Sequence, residues 1–245
     1  MIATGIPPRW PAWLLLAGVG AVGGLFVFCL LRYPGTRHEP GVPVYLVAVG
    51  LLFAVYLSLA GRAVRRPGIG RALGALIGLA AATSWSVEIW AGGPAKLDRA
   101  AESAVGGAFA LLAVAITVSA GVVAGARYRD PSAALRCGLT AGLISGMAVF
   151  CFAIVMTLTN LGVLGTREDY QRQFASSHAS DMATFLVGDI LAAVIAHLMI
   201  NLILGLIGGG LGALVARSMR HQPGAVPPVD SGSARRRNAG RSALP

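Results

Sequence analysis

Residues 42–60 read VPVYLVAVGLLFAVYLSLA and residues 72–90 read ALGALIGLAAATSWSVEIW; between them, at 61–71, stands GRAVRRPGIGR, with arginine at 62, 65, 66 and 71. A helix rises about 1.5 Å per residue and bilayer hydrocarbon is about 30 Å thick, so each flanking run is long enough to cross a membrane. The segment between them is too basic to lie in lipid and too short to form a domain. Two spans joined by a basic turn is therefore the unit from which the rest of the chain is read.

Working outward, four more apolar stretches occupy 13–31, 105–126, 138–164 and 184–216. Their apolar runs are continuous, whereas barrel strands alternate, and an open sheet edge in lipid leaves backbone groups unpaired. The expected fold is an all-α integral membrane protein, a six-helix transmembrane bundle over 13–220. A short segment, 1–12, precedes it and a disordered basic tail, 221–245, follows. That tail is rich in Pro, Gly, Ser and Arg and has too few large apolar side chains to bury a core. Composition agrees: 56% of residues are apolar, 12% are charged and 33 of 245 are glycine.

Basic residues settle the expected orientation. Arg9, the four at 61–71, Arg127, Arg129, Arg136 and six more from Arg217 to Arg241 make fourteen on one side. The other side holds six, Arg32, Arg37, Lys96, Arg99, Arg167 and Arg172, with Glu39, Asp98, Glu102, Glu168, Asp169 and Asp181. The positive-inside rule then places both termini in the cytoplasm. Tyr33, Tyr45 and Trp90 fall at the outer interface, and Trp10, Trp13 and Tyr128 at the inner one, as aromatic belts do. The net charge of +10 thus answers to insertion and anionic lipid, and no nucleic-acid partner is implied. The bilayer is the expected partner, with a partner membrane subunit or a homo-oligomer as the other candidates. Arg-rich, Lys-poor, Ala/Gly-heavy usage points to a bacterial inner membrane.

The first stretch follows Arg9 as a signal peptide would, but it is about as long as a full span and lacks a small-x-small cleavage site just before Arg32, so it reads as a retained helix. Cys29, Cys137 and Cys151 lie in or beside apolar spans without metal-ligand spacing and read as small core residues. No metal and no cofactor is expected. The outer loop 165–182 places Tyr170 and Phe174 four apart, the pattern of a short interfacial helix.

Glycines recur four apart, on one helix face, at 20/24, 74/78, 121/125, 138/142/146, 205/209 and 208/212. Such faces let backbones approach closely, so five spans are expected to pack tightly. The run Gly208, Gly209, Gly210 removes three successive side chains and predicts a kink or break, a hinge, in the overlong sixth stretch.

Ionisable groups inside spans are costly and mark function. Three occur: Glu88, Asp189 and His197. Asp189, His197 and Asn201 are eight and four residues apart, which places them on one stripe of the sixth helix, a candidate substrate or ion path. Glu88 lies seventeen residues past Arg71, roughly 25 Å along the helix, near the outer interface. It either snorkels there or faces a cavity with Ser84, one turn earlier. His197-x3-Asn201-Leu202 followed by Gly209-Gly210 is similar, over about fourteen residues, to the second span of rhomboid intramembrane proteases. Their Gly-x-Ser-Gly nucleophile motif is not matched, since Leu143 stands where its first glycine belongs before Ser145-Gly146. Without a catalytic set the chain is not expected to be an enzyme. A small permease or transporter membrane subunit is the leading expectation, and a structural or regulatory component that binds partner helices is the second.

Overall fold

The computed structural model describes residues 9–37, 42–65, 68–95 and 97–220. Five of the six apolar stretches each lie in one helix, the remaining one, 138–164, is divided between two, and no strand is present among the described residues. The helices are α1 (Trp10–Arg32), α2 (Val42–Arg65), α3 (Arg71–Gly92), α4 (Arg99–Tyr128), α5 (Pro131–Thr159), α6 (Leu161–Leu164), α7 (Glu168–Ser176) and α8 (Met182–Arg220), with a 3-10 turn at Pro34–Arg37. Among the described residues, five helices are long and apolar enough to cross a membrane: α1, α3, α4, α5 and α8. The expected tail, 221–245, and residues 1–8 of the expected N-terminal segment lie outside the described residues. Helix α1 opens at Trp10, inside that segment, with Pro11 in its first turn, where a missing N–H costs nothing.

Carboxylates set the helix starts. Asp98 accepts from the Ala101 amide at 2.9 Å and caps α4. Asp130 accepts from the amides of Ser132 and Ala133, both at 3.1 Å, and caps α5. Asp181 accepts from the Thr184 amide at 2.9 Å at the head of α8. Each satisfies donors that the first helical turn otherwise leaves orphaned. The apolar run expected to continue to residue 164 breaks earlier: Thr159 and Asn160 turn their side chains back onto the carbonyls of Val155 and Met156, and Asn160 leaves helical geometry. Leu161–Leu164 forms a separate turn.

Glycine contacts reveal how the helices run. On α3, Gly74 lies on the Cys137 carbonyl and Gly78 on that of Ala141, so α3 and α5 run parallel. Likewise Gly121 meets Gly208 and Gly125 meets Gly212, which makes α4 parallel to α8. In the opposite sense, Gly138 meets Gly205 and Gly142 meets Asn201, so α5 and α8 are antiparallel. A chain whose α3, α4, α5 and α8 cross in alternation, with α6 and α7 not crossing, has this arrangement. Helix α5 is central: 72% of its apolar window is buried, against 22–39% in the other four. It packs on α8, α3, α4 and α1.

Two expectations about glycine change. The chain is continuously helical through Gly208, Gly209 and Gly210, so the expected break is absent. Gly208 and Gly209 pack on Val118 and Leu135 while Gly210 faces open space; close backbone contact replaces the side-chain packing that the run lacks. Gly20 and Gly24 of α1, expected to pack, meet nothing within 4 Å. The other faces do pack. Helix α2 leans on α1 and reaches the centre through Tyr56, whose hydroxyl donates to the Leu198 carbonyl at 2.9 Å. A cavity of about 230 Å³, lined by side chains such as Phe53, Phe150 and Leu198, separates α2 from α5 and α8.

Candidate functional site

Two ends of the bundle can be told apart without reference to a membrane: an arginine-rich end, with Arg71, Asp130 and Arg220, and an opposite end centred on Arg167. On α4, no residue from 99 to 112 is buried, whereas Ala113, Thr117, Ala120, Gly121, Ala124 and Gly125 are. The four helices therefore close on each other toward the arginine-rich end and pack less tightly around α4 toward Arg167.

The polar residues meet in that looser half. His197 of α8 stands edge-on to the Trp85 ring of α3, centroids 5.0 Å apart at 86°. Glu88, one turn beyond Trp85, lies within Coulombic range of His197, and its Cγ approaches Gly106 of α4. One carboxylate oxygen of Glu88, Oε2, is buried with no hydrogen-bond partner among the described residues, as is the Trp85 indole nitrogen. The His197 Nδ1 lies 3.0 Å from the Ala193 carbonyl. A carbonyl only accepts, so this bond assigns the proton to Nδ1 and leaves Nε2 of the neutral ring an acceptor. The unpaired Oε2 of Glu88 and Nε2 of His197 are thus two acceptors within Coulombic range of each other, an arrangement that can receive a donor group or a small cation.

The expected stripe is graded. Asp189 is exposed, His197 is half-buried and Asn201 is fully buried. Asn201 donates to the His197 carbonyl at 2.9 Å, and its Oδ1 has no partner among the described residues. Its β-carbon faces Gly146 and its carbonyl faces Gly142, both on α5. Asn201 therefore sits in the α5–α8 seam. Ser84, expected as the neighbour of Glu88, spends its hydroxyl on the Phe109 carbonyl of α4 at 3.1 Å and fastens α3 to α4. Asp189 faces outward toward α7, whose Tyr170 phenol is pushed up by burial and then by the Asp189 charge.

Two contributors escaped the sequence reading. Trp85 carries the ring against which His197 rests; its one legible signal was a tryptophan well inside a span rather than in a belt. Arg167 had no local signal beyond its charge. It donates through Nη1 to the Gly92 and Gly93 carbonyls at 3.1 and 2.8 Å, through Nη2 to Glu102 at 3.1 Å and through Nε to Asp169 at 3.1 Å. One side chain thereby ties the end of α3, the start of α4 and the start of α7. Its hydrogen bonds to Asp169 and Glu102 hold its proton more firmly than usual. The loop helix expected around Tyr170 and Phe174 is α7, with Phe174 against Phe185 of α8, centroids 5.9 Å apart. Cys29 and Cys137 are buried and Cys151 is half-buried, all as free thiols.

Comparison of the chain with protein-family models, with characterised proteins and with solved structures gives no match.

Proposed function

We propose that this protein is a small permease, or the membrane subunit of a larger transporter. It crosses a bacterial inner membrane six times with both termini in the cytoplasm, and moves a proton or a small cation-bearing solute past Glu88 and His197. Helix α2, 24 residues long, serves as the remaining span. Asp189, beneath Tyr170, marks the outer mouth, and Asn201 in the tight seam marks the inner limit of the looser half. The observation that carries this reading is the buried Oε2 of Glu88 without a partner beside His197. A carboxylate oxygen left buried and unpaired is costly, and ionisable groups kept within membrane spans usually serve a function.

The test is accessibility. In a background lacking Cys29, Cys137 and Cys151, single cysteines along α8 are labelled with a membrane-impermeant thiol reagent from each side. Labelling at 189, 193 and 197 from the outer side, with Glu88→Gln abolishing uptake in proteoliposomes, supports the reading. Absence of labelling at 193 and 197, with their lipid-facing neighbours equally silent, defeats it. In that outcome the second reading takes over, a structural or regulatory component that binds partner helices. Its own support is the glycine seam, which leaves little freedom for helices to move at the arginine-rich end.

A further inference from the structure

At the arginine-rich end the guanidinium groups outnumber their partners. Gly70 adopts φ 95°, in the left-handed region, and a β-carbon there meets the Ala133 carbonyl, so the turn at 68–70 lies flat on the first turn of α5. Arg136 drapes over that turn. Its Nε donates to the Ile69 carbonyl at 3.5 Å and its Nη2 reaches Asp130 at 3.3 Å. Arg71 opens α3 within Coulombic range of Arg136, and its Nε is buried with no acceptor among the described residues. Arg220 approaches from α8, donating to the Arg129 carbonyl at 2.6 Å and standing 3.9 Å from Asp130.

Asp130 is thus shared by Arg136 and Arg220 while it also caps α5 through Ser132 and Ala133. Nothing among the described residues accepts from the Nε of Arg71, and no side chain caps the first-turn amides of α3. A buried guanidinium donor facing a like charge, next to an uncapped helix start, lacks one component: an anion with several acceptor oxygens.

We propose that Arg71 and Arg136, with the first turn of α3, form a site for a phosphate group, supplied by the headgroup of an anionic membrane lipid or by a free phosphate ester. Phosphate suits the fork geometry of two arginines and the N–H groups of a helix start. The site lies where α3 begins its apolar run, the depth at which headgroup phosphates lie in the transmembrane arrangement. It does not depend on the Glu88–His197 reading.

The test uses the full-length protein in mild detergent, with its unfolding temperature followed as dioleoylphosphatidylglycerol, dioleoylphosphatidylcholine or inorganic phosphate is added. Phosphatidylglycerol is expected to stabilise the protein and the zwitterionic lipid to do little. Arg71→Gln is expected to weaken the effect about tenfold, the loss of a charge-assisted hydrogen bond rather than of one diffuse charge. Arg62→Gln removes the same charge from an exposed position on α2 and is expected to leave it unchanged. Asp130→Asn keeps a capping side chain, frees Arg136 of its competing carboxylate and is expected to tighten binding. Should inorganic phosphate alone reproduce the stabilisation and its dependence on Arg71, the source is a soluble phosphate ester rather than lipid. Equal losses in Arg71→Gln and Arg62→Gln mean diffuse charge attraction and overturn the proposal. Should Arg71→Gln not fold, weaker binding by Asp130→Asn overturns it by itself.

Discussion

The two halves of the bundle solve opposite problems with the same four helices. Toward the arginine-rich end, Gly121, Gly125, Gly138 and Gly142 of α4 and α5 lie on the backbone of α8, and any β-carbon added to them runs into a carbonyl. Toward Arg167, α4 buries nothing before Ala113, and the space is shared by Trp85, Glu88 and His197. Where side chains are absent, backbones lock; where Trp85, Glu88 and His197 intrude, the packing around α4 loosens. The lesson is that close backbone packing and the intramembrane ionisable groups are separated along the helix axis, the division expected if the looser half is the less stable one.

The sharpest way to break this contrast is to enlarge the seam. Gly121→Leu or Gly212→Leu is expected to destabilise by well over the ~1–3 kcal/mol of ordinary overpacking, because the opposing atoms are backbone and cannot rotate away. Loss of the monodisperse peak in size-exclusion chromatography is the readout. Gly107→Ala, where no atom lies within 4 Å, is expected to gain about 0.5–1 kcal/mol of helix stability. If both substitutions behave alike, the two halves do not differ.

Second in size are changes to the polar half. Replacing Glu88 and His197 together by Gln and Leu is expected to leave the thermal midpoint unchanged or to raise it by the equivalent of about 1 kcal/mol, since buried ionisable pairs seldom beat apolar substitutes. Transport in proteoliposomes is expected to vanish. A large drop in midpoint instead makes the pair structural.

The clasp around Arg167 acts on one end of the bundle alone. Arg167→Ala removes charge-assisted hydrogen bonds to Glu102 and Asp169, each worth about 1.5–3 kcal/mol net at most and less where solvent reaches them. Hydrogen exchange is expected to rise through α6 and α7, with the seam between α4 and α8 unaffected. Spread of the increase into α8 beyond Asn201 contradicts the division.

The mildest effect is on pH. The Thr184 amide, then its hydroxyl, hold Asp181 below the usual carboxylate range. A depressed folded value means that this contribution is present above the unfolded value, near pH ~3.9, and is lost as pH falls through the folded one. Asp181→Ala is therefore expected to lower the midpoint at pH 7 by the equivalent of about 1 kcal/mol or less, with the gap closing in strong acid. A gap that persists below pH ~2 removes the cap as its cause.

Local patterns were legible because they need only near neighbours. Lengths of apolar runs and glycines four apart are written within a turn or two of helix, whereas the capping roles of Asp98, Asp130 and Asp181 were not read there. The break after Thr159 was missed because Asn160 turns its amide onto the Met156 carbonyl, a choice that hydropathy does not register. The unbroken course of α8 through 208–210 was not foreseen, for the opposite reason. Glycine weakens an isolated helix, yet here the missing side chains admit Val118 and Leu135 against the backbone. The Gly20/Gly24 face shows the same ambiguity from the other side, since an identical spacing meets no neighbour in this chain.

By itself the sequence determined that the chain is helical, where its long helices lie and which residues are too polar to be incidental, because hydrophobic length and helical period are properties of a single segment. Only the tertiary structure decided that Oε2 of Glu88 is buried within Coulombic range of His197, that Asn201 lies in a closed seam while Asp189 stays exposed, and that Arg167 joins three elements. Those facts depend on which helix faces which, and that is settled by backbone contacts between residues some sixty to ninety positions apart, such as Gly78 with Ala141 and Gly121 with Gly208.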